Sequence, residues 1–248
     1  MQSNQHKQPW YVSRRDFLKT TAVASIGAAA AATAHGQETL RFGLVTDMHY
    51  ADTDPLGTRH YRESISKLEE CVAEMNKQDV AFLCELGDFK DEDPKRREDT
   101  VTLEYLRAIE SAYAKFEGPR HYVLGNHDLD SISKEQFLAN TAMKAPHYSF
   151  DAMGRHFVIL DANYTGEGKP YDHGDFNWMD TNIPQRELDW LQADLRQTDL
   201  PTIVFAHQRL DGEGALFVNN AAAVRSVFEE SGKVLAVFQG HDHPGGNE

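Results

Sequence analysis

Five times in this chain a largely apolar run of strand length stops and hands over to aspartate, asparagine or histidine. The runs are Phe42 to Val45 before Thr46-Asp47-Met48-His49, Phe82 to Leu86 before Gly87-Asp88, and Tyr122 to Leu124 before Gly125-Asn126-His127-Asp128. Two more follow: Ile203 to Ala206 before His207, and Val237 to Gln239 before Gly240-His241-Asp242-His243. A short apolar run without alternation reads as a strand covered on both faces, the condition of parallel strands in layered α/β domains. Open sheets of that kind gather ligands outside the carboxyl ends of their strands. The pattern therefore demands a fold that brings five strand ends to one edge, where the polar groups meet.

Taken singly, each group is ordinary. Gly-Asn is a turn signal, a histidine after a strand is commonly a surface residue, and an aspartate often caps a helix or loop. Placement at five successive strand ends is what chance does not supply.

The remaining sequence fits one α/β domain behind a leader. At 248 residues the chain holds one substantial core but is cramped for two. Its 25 basic and 39 acidic side chains give a formal charge of -14, which argues against nucleic acid or an anionic membrane as partner. Anionic substrates stay open, because bound divalent cations would reverse the local potential. Cys71 and Cys84 are the only cysteines, and both read as buried thiols rather than a disulfide.

Residues 1–34 read as an address. Ser13-Arg14-Arg15-Asp16-Phe17-Leu18-Lys19 precedes an alanine-rich run from Thr20 to Ala32 and the small-residue box Ala32-Thr33-Ala34. This segment resembles a twin-arginine export signal cleaved after Ala34, which implies the twin-arginine translocation machinery as partner and a periplasmic or secreted bacterial location. That run is too short to span a membrane, so no stable span is expected after cleavage. A basic leader of no special meaning is the alternative.

Within the mature domain, 38–248, apolar spacing predicts helices over Arg62 to Lys77, Val101 to Phe116, Lys134 to Ala139, from Pro184 through Leu195, and Asn220 to Glu230. Strands are expected at Arg41 to Thr46, Val80 to Leu86, Tyr122 to Leu124, Thr202 to Ala206 and Val234 to Phe238. His147 to Phe150 and Phe157 to Leu160 flank Asp151-Ala-Met-Gly154 and should form an antiparallel hairpin. The charged stretch from Lys90 to Thr100 reads as a solvated loop. Asn163 to Asn182 is a long polar loop of the kind that covers a site. Because the chain stops at Pro244-Gly-Gly-Asn-Glu248 directly after a motif, a fragment lacking its C-terminal strands is expected.

Aspartate, histidine and asparagine without cysteine suit divalent Mn, Fe or Zn. Two such ions a few ångströms apart need one bridging carboxylate and together clamp the attacking and leaving oxygens of a phosphoryl transfer. The ordered blocks DxH, GD, GNHD, H and GHDH, spanning Asp47 to His243, resemble those of the calcineurin-like metallophosphoesterases. The resemblance implies a four-layer αββα sandwich and two divalent metal ions. By position, Asp47, His49 and His243 would bind the first ion, Asn126, His207 and His241 the second, and Asp88 both. His127 would protonate the leaving oxygen, oriented by Asp91 three residues after the bridging aspartate. Glu92 stands where the family's protein phosphatases carry an arginine, which argues against a protein substrate.

The implied reaction is hydrolysis of a small phosphodiester or pyrophosphate by in-line attack of hydroxide generated on the ions. Tyr50-Ala-Asp52 and Gly57-Thr-Arg59-His-Tyr61-Arg62, with Gly245-Gly246, are similar to the manganese-dependent ADP-ribose and CDP-alcohol diphosphatase branch. There Arg59, Tyr61 or Arg62 would hold a distal phosphate or ribose; a plain cap for the helix near Arg62 is the alternative. Two other functions remain open: a phosphomonoesterase of the same family, and a metal- or phosphate-binding protein without turnover.

Overall fold

Period-two alternation decides how the strands are buried. In β6 (Thr202–Ala206), Ile203 and Phe205 face one apolar layer while Val204 and Ala206 face another, and all five residues are buried. β5 (Arg155–Ile159) divides in the same way, with Phe157 and Ile159 on one side and Val158 on the other. Such strands need cover on both faces, and the computed structural model, which describes residues 39–243, supplies it. The expected export leader, 1–34, and the Gly245-Gly246 pair lie outside the described residues.

The element order is β1 (Gly43–Val45), α1 (Ser64–Lys77), β2 (Leu83–Glu85), α2 (Asp99–Tyr113), β3 (Arg120–Tyr122), α3 (Lys134–Asn140), β4 (Tyr148–Ala152), β5, α4 (Gln185–Gln197), β6, α5 (Ala221–Ser231) and β7 (Val234–Gln239). One sheet is the parallel set β1-β2-β3, and the other runs β4-β5-β6-β7 with only the β4–β5 pair antiparallel. Pairing of Val45 with Glu85 and of Glu85 with Tyr122 levels the first three strand ends, and pairing of Ala206 with Gln239 levels the last two.

The sheets meet through an aromatic layer. Phe42 stacks on Phe82 at 5.1 Å, Phe157 meets Phe82 edge-on at 4.8 Å, and Phe205 stacks on Phe157 at 5.8 Å. Each such ring contributes roughly 1.5–3 kcal/mol by leaving water. Outside the first sheet, Leu68 and Val72 of α1, Leu106, Ile109 and Tyr113 of α2 and Phe137 of α3 close the core. Outside the second, Leu188, Leu191 and Leu195 of α4 and Val224 and Phe228 of α5 do the same. The layers run helix, sheet, sheet, helix. Cys71 and Cys84 are both free thiols, the second fully buried.

Most boundaries shift by a few residues from the sequence reading, and three of the differences have a clear physical reason. β3 pairs over Arg120–Tyr122 rather than Tyr122 to Leu124, because Val123 and Leu124 are apolar for burial while the ladder has already begun upstream. Pro184 caps α4 from outside instead of forming its first turn. In the hairpin, Met153 and Gly154 alone turn the chain, both at positive φ, so β4 extends through Ala152. No helix of the described residues is long and apolar enough to cross a membrane.

Candidate metal centre

Past the level strand ends the backbone turns sharply. Asp47, His49, Asp88 and His241 all take positive φ, between 47° and 68°. L-residues pay about 1–3 kcal/mol for strained backbone of this kind, and it persists only where surrounding contacts fix it. The contacts here are close. A Cβ on Gly125 would lie 2.2 Å from both the amide nitrogen and Oδ1 of Asp88, and one on Gly240 would lie 2.2 Å from Thr46 Oγ1 and 2.9 Å from Asp47 Oδ2. Only glycine lets these loops meet.

The side chains so placed form groups sharing members. Asp47, His49, Asp88 and His243 bring one donor atom each within 4.8 Å of one another, and so do Asp88, His207 and His241. Asp88 belongs to both: its Oδ2 lies 3.6 Å from His49 Nε2 and 3.2 Å from His207 Nε2. His49 Nε2 faces His243 Nε2 at 2.9 Å, and His207 Nε2 faces His241 Nδ1 at 3.1 Å. Pairs of imidazole nitrogens this near carboxylates are poor partners for one another and good ones for cations.

The far nitrogens fix the tautomers. His207 Nδ1 donates to Leu86 O at 2.9 Å, and His49 Nδ1 donates to Asp91 Oδ2 at 3.1 Å, so in neutral rings both Nε2 lone pairs face the cluster. Asn126 lies between two residues that touch Asp88, since His127 N–H donates to Asp88 Oδ1 at 2.8 Å. Its own Oδ1 is buried with no hydrogen-bond partner, as is His241 Nε2. Orphaned acceptors of this kind, beside two groups of oxygen and nitrogen donors that share Asp88, fit two divalent ions.

Charge follows geometry. Burial works against ionisation of Asp88, yet His207, His127 and His49 around it hold it well below the usual carboxylate range. Burial likewise opposes charge on His207, but the Asp88 carboxylate pushes it up to about 9. His241 is pushed down to about 4 by burial and by the neighbouring His207. Behind the cluster, Asp128 is fully buried and accepts from the amides of Asp88, Phe89, Lys90 and Gly125, tying the second and third strand-end loops together.

His127 sits at the accessible rim. Its Nδ1 bonds Asp130 Oδ2 at 2.7 Å, while Asp91 Oδ1 is 3.4 Å away. Asp91 thus lies beside His127 but chiefly holds His49 and Arg59, whose Nη1 donates to Asp91 Oδ2 at 3.1 Å. Sequence reasoning missed Asp130. The His127–Leu129 segment is a 3-10 turn, in which residues three apart eclipse, so His127 and Asp130 share one side.

Of the three candidate substrate contacts, the structure brings only Arg59 to the centre, with its Nη2 3.3 Å from His127 Nε2. Tyr61 is buried beside Ala51 and Tyr105, and Arg62 points outward to Asp52 and Asp54 at 2.5 and 3.0 Å. The reason is the 3-10 turn Tyr61–Glu63 leading into α1, which sends Tyr61 inward and Arg62 to solvent. From the long loop 163–182, half-exposed Trp178 meets His241 edge-on at 5.7 Å.

A four-layer α/β sandwich with two ligand clusters sharing one aspartate at its strand ends defines a phosphoesterase of the two-metal kind. Residues 40–245 match the family described as calcineurin-like phosphoesterase, and the chain belongs to it. Among relatives, it is 27% identical over 254 residues to a manganese-dependent ADP-ribose/CDP-alcohol diphosphatase of Oryza sativa subsp. japonica, covering 83% of this chain and 78% of that one. The protein of the same name from Danio rerio is 25% identical over 268 residues, covering 83% and 82%. Among solved structures, a dimetal phosphatase from Danio rerio superposes with a TM-score of 0.71 at 23% identity, covering 84% of this chain and 82% of that one. A purple acid phosphatase from yellow lupin gives 0.54 at 16% identity, covering 82% and 38%. Those two likenesses are of fold. The chain is a hydrolase acting on phosphoric ester bonds.

Proposed function

We propose that this enzyme hydrolyses a small pyrophosphate or phosphodiester, with a nucleoside- or alcohol-linked diphosphate as the favoured class and manganese as the favoured metal. One observation carries the reading: the Asp88 carboxylate belongs to both ligand clusters, the bridge that a two-ion phosphoryl clamp requires. Asp47, His49, Asp88 and His243 would hold one ion, and Asp88, Asn126, His207 and His241 the other. Bound there, the ions supply hydroxide near neutral pH and neutralise the phosphoryl oxygens. The names of the rice and zebrafish relatives support the metal and the diphosphate.

The chain's own residues do the rest. In the metal-free protein burial opposes charge on His127, while Asp88, Asp130 and Asp91 raise it well above the ordinary histidine range; with ions on Asp88, the contacts to Asp130 and Asp91 would remain to favour the proton it would give the leaving oxygen. With Nδ1 fixed by Asp130, Nε2 is the nitrogen that would face the leaving oxygen; Arg59 Nη2 lies 3.3 Å from it, and since both are donors once Nε2 is protonated, the guanidinium must turn to the substrate for that proton to be delivered. Arg59 places a guanidinium beside that nitrogen, where it can bind a second phosphate and stabilise charge on the leaving group. Trp178 offers an apolar face at the rim for the group beyond. Export in folded form through the twin-arginine route is proposed on the leader sequence alone; fractionation of the native host would test it.

The test compares purified wild-type and Asp88→Asn enzyme on ADP-ribose, a CDP-alcohol, bis-p-nitrophenyl phosphate and a monoester, with Mn²⁺ and with chelator. Metal-dependent turnover of the diphosphates, lowered at least about a thousandfold in Asp88→Asn, is the expected result. Full activity of Asp88→Asn removes the two-ion reading; turnover of the monoester alone removes the diphosphate.

A further inference from the structure

The loop carrying His241 and His243 leaves β7 after Gln239, and its strand pairing ends at the Gly240 N–H bond to His207 O, 3.1 Å long. Beyond that point His241 N–H reaches the Asp47 carboxylate at 3.2 Å, and Asp242 N–H folds back on Gly240 O at 2.8 Å. One further tie comes from a side chain outside the ligand clusters: Arg209 Nη1 donates to Asp242 Oδ2 at 2.7 Å. Arg209 follows His207 by two residues, so this contact joins two ligand-bearing loops.

Arg209 is itself held on every side. Its Nε and Nη2 donate to Asp211 Oδ1 and Oδ2 at 3.0 and 2.9 Å, and its guanidinium lies 4.6 Å over the Phe217 ring. Its backbone pairs with Leu216 O at 3.2 Å and with Val218 N–H at 2.8 Å. Only 11% of its side chain is exposed. A planar fork that engages two carboxylates while packed on an aromatic ring transmits position as well as charge.

We propose that Arg209 is a positioning residue for the metal centre: by gripping Asp242 it fixes His241 and His243, one for each half of the centre, in register with His207. The inference rests on the two-ion reading above. His241 keeps a strained backbone, φ 68°, which relaxes unless its neighbours hold it. With the grip intact the two imidazoles are ordered before any ion arrives; without it, metal binding must order them.

The experiment titrates chelator-stripped full-length protein with Mn²⁺ by calorimetry and equilibrium dialysis, for wild type, Arg209→Met and Asp242→Asn. Both variants should bind Mn²⁺ about 10- to 100-fold more weakly, as for other residues that orient metal ligands. Asp242→Asn, altered at the loop end of the contact, should melt in chelator close to wild type; it carries the test if Arg209→Met does not fold. Wild-type Mn²⁺ affinity in Asp242→Asn overturns the proposal, even if its melting point falls. A wild-type protein that binds no Mn²⁺ overturns instead the reading on which it rests.

Discussion

Gly125→Ala tests the site geometry with a single methyl group. The new Cβ would lie 2.2 Å from Asp88 N and Oδ1, where ordinary contact begins at 3.4 Å. Neither side can simply step back, because Asp88 N and Gly125 N are bound to the same carboxylate oxygen of Asp128, at 3.0 and 2.9 Å. The second and third strand-end loops must therefore part by roughly 1 Å, a displacement that costs on the order of 100-fold in rate when it misplaces reacting groups. Overpacking of this kind costs about 1–3 kcal/mol, which for a domain of this size lowers the melting point by about 2–12 °C. Gly154→Ala is the control: it also has positive φ, 70°, but nothing within 4 Å, and it sits in the β4–β5 turn. It should lose about 1 kcal/mol and no activity. The measurements are kcat/KM on ADP-ribose, Mn²⁺ uptake and thermal melting. Wild-type rate and metal uptake in Gly125→Ala would refute the claim that the Gly125 and Asp88 backbones define the bridge.

His127→Ala should lower kcat about 10²- to 10⁴-fold while the protein still takes up two Mn²⁺ per chain, if His127 acts as proposed, as an acid rather than a ligand; loss of metal in dialysis would contradict that role. In metal-free protein His207 is raised from the usual 6.5 to about 9, so the stability it lends is complete below about pH 6.5 and lost as pH rises through 9. Metal competes with that proton, so the rise in melting point on adding Mn²⁺ should grow over the same window; a rise independent of pH would show that His207 does not exchange its proton for the ion.

Much of the chemistry could be read along the chain because strand ends are local events. An apolar run, a glycine and a ligand lie within a few residues of one another, and parallel pairing carries all such ends to one edge. Asp47, Asp88, Asn126, His207 and His241 are therefore legible in the sequence as a set of candidate ligands. The same periodicity located the helices of both outer layers, and strand boundaries shift where apolarity marks burial rather than pairing, as at Val123 and Leu124 after β3.

What the chain could not announce was direction. Arg59, Tyr61 and Arg62 are equally plausible in sequence, yet a single 3-10 turn sends one to the core and one to solvent and leaves Arg59 beside His127. Asp130 reaches His127 because another such turn eclipses residues three apart, while Asp91 stands farther from His127, at 3.4 Å, and bonds His49 at 3.1 Å. Arg209 and Asp242 stand 33 positions apart and meet only because β6 and β7 are neighbours. Residue type and local spacing set which groups could bind metal, whereas which atom faces which depends on backbone turns and strand neighbours, fixed only when the whole sandwich closes.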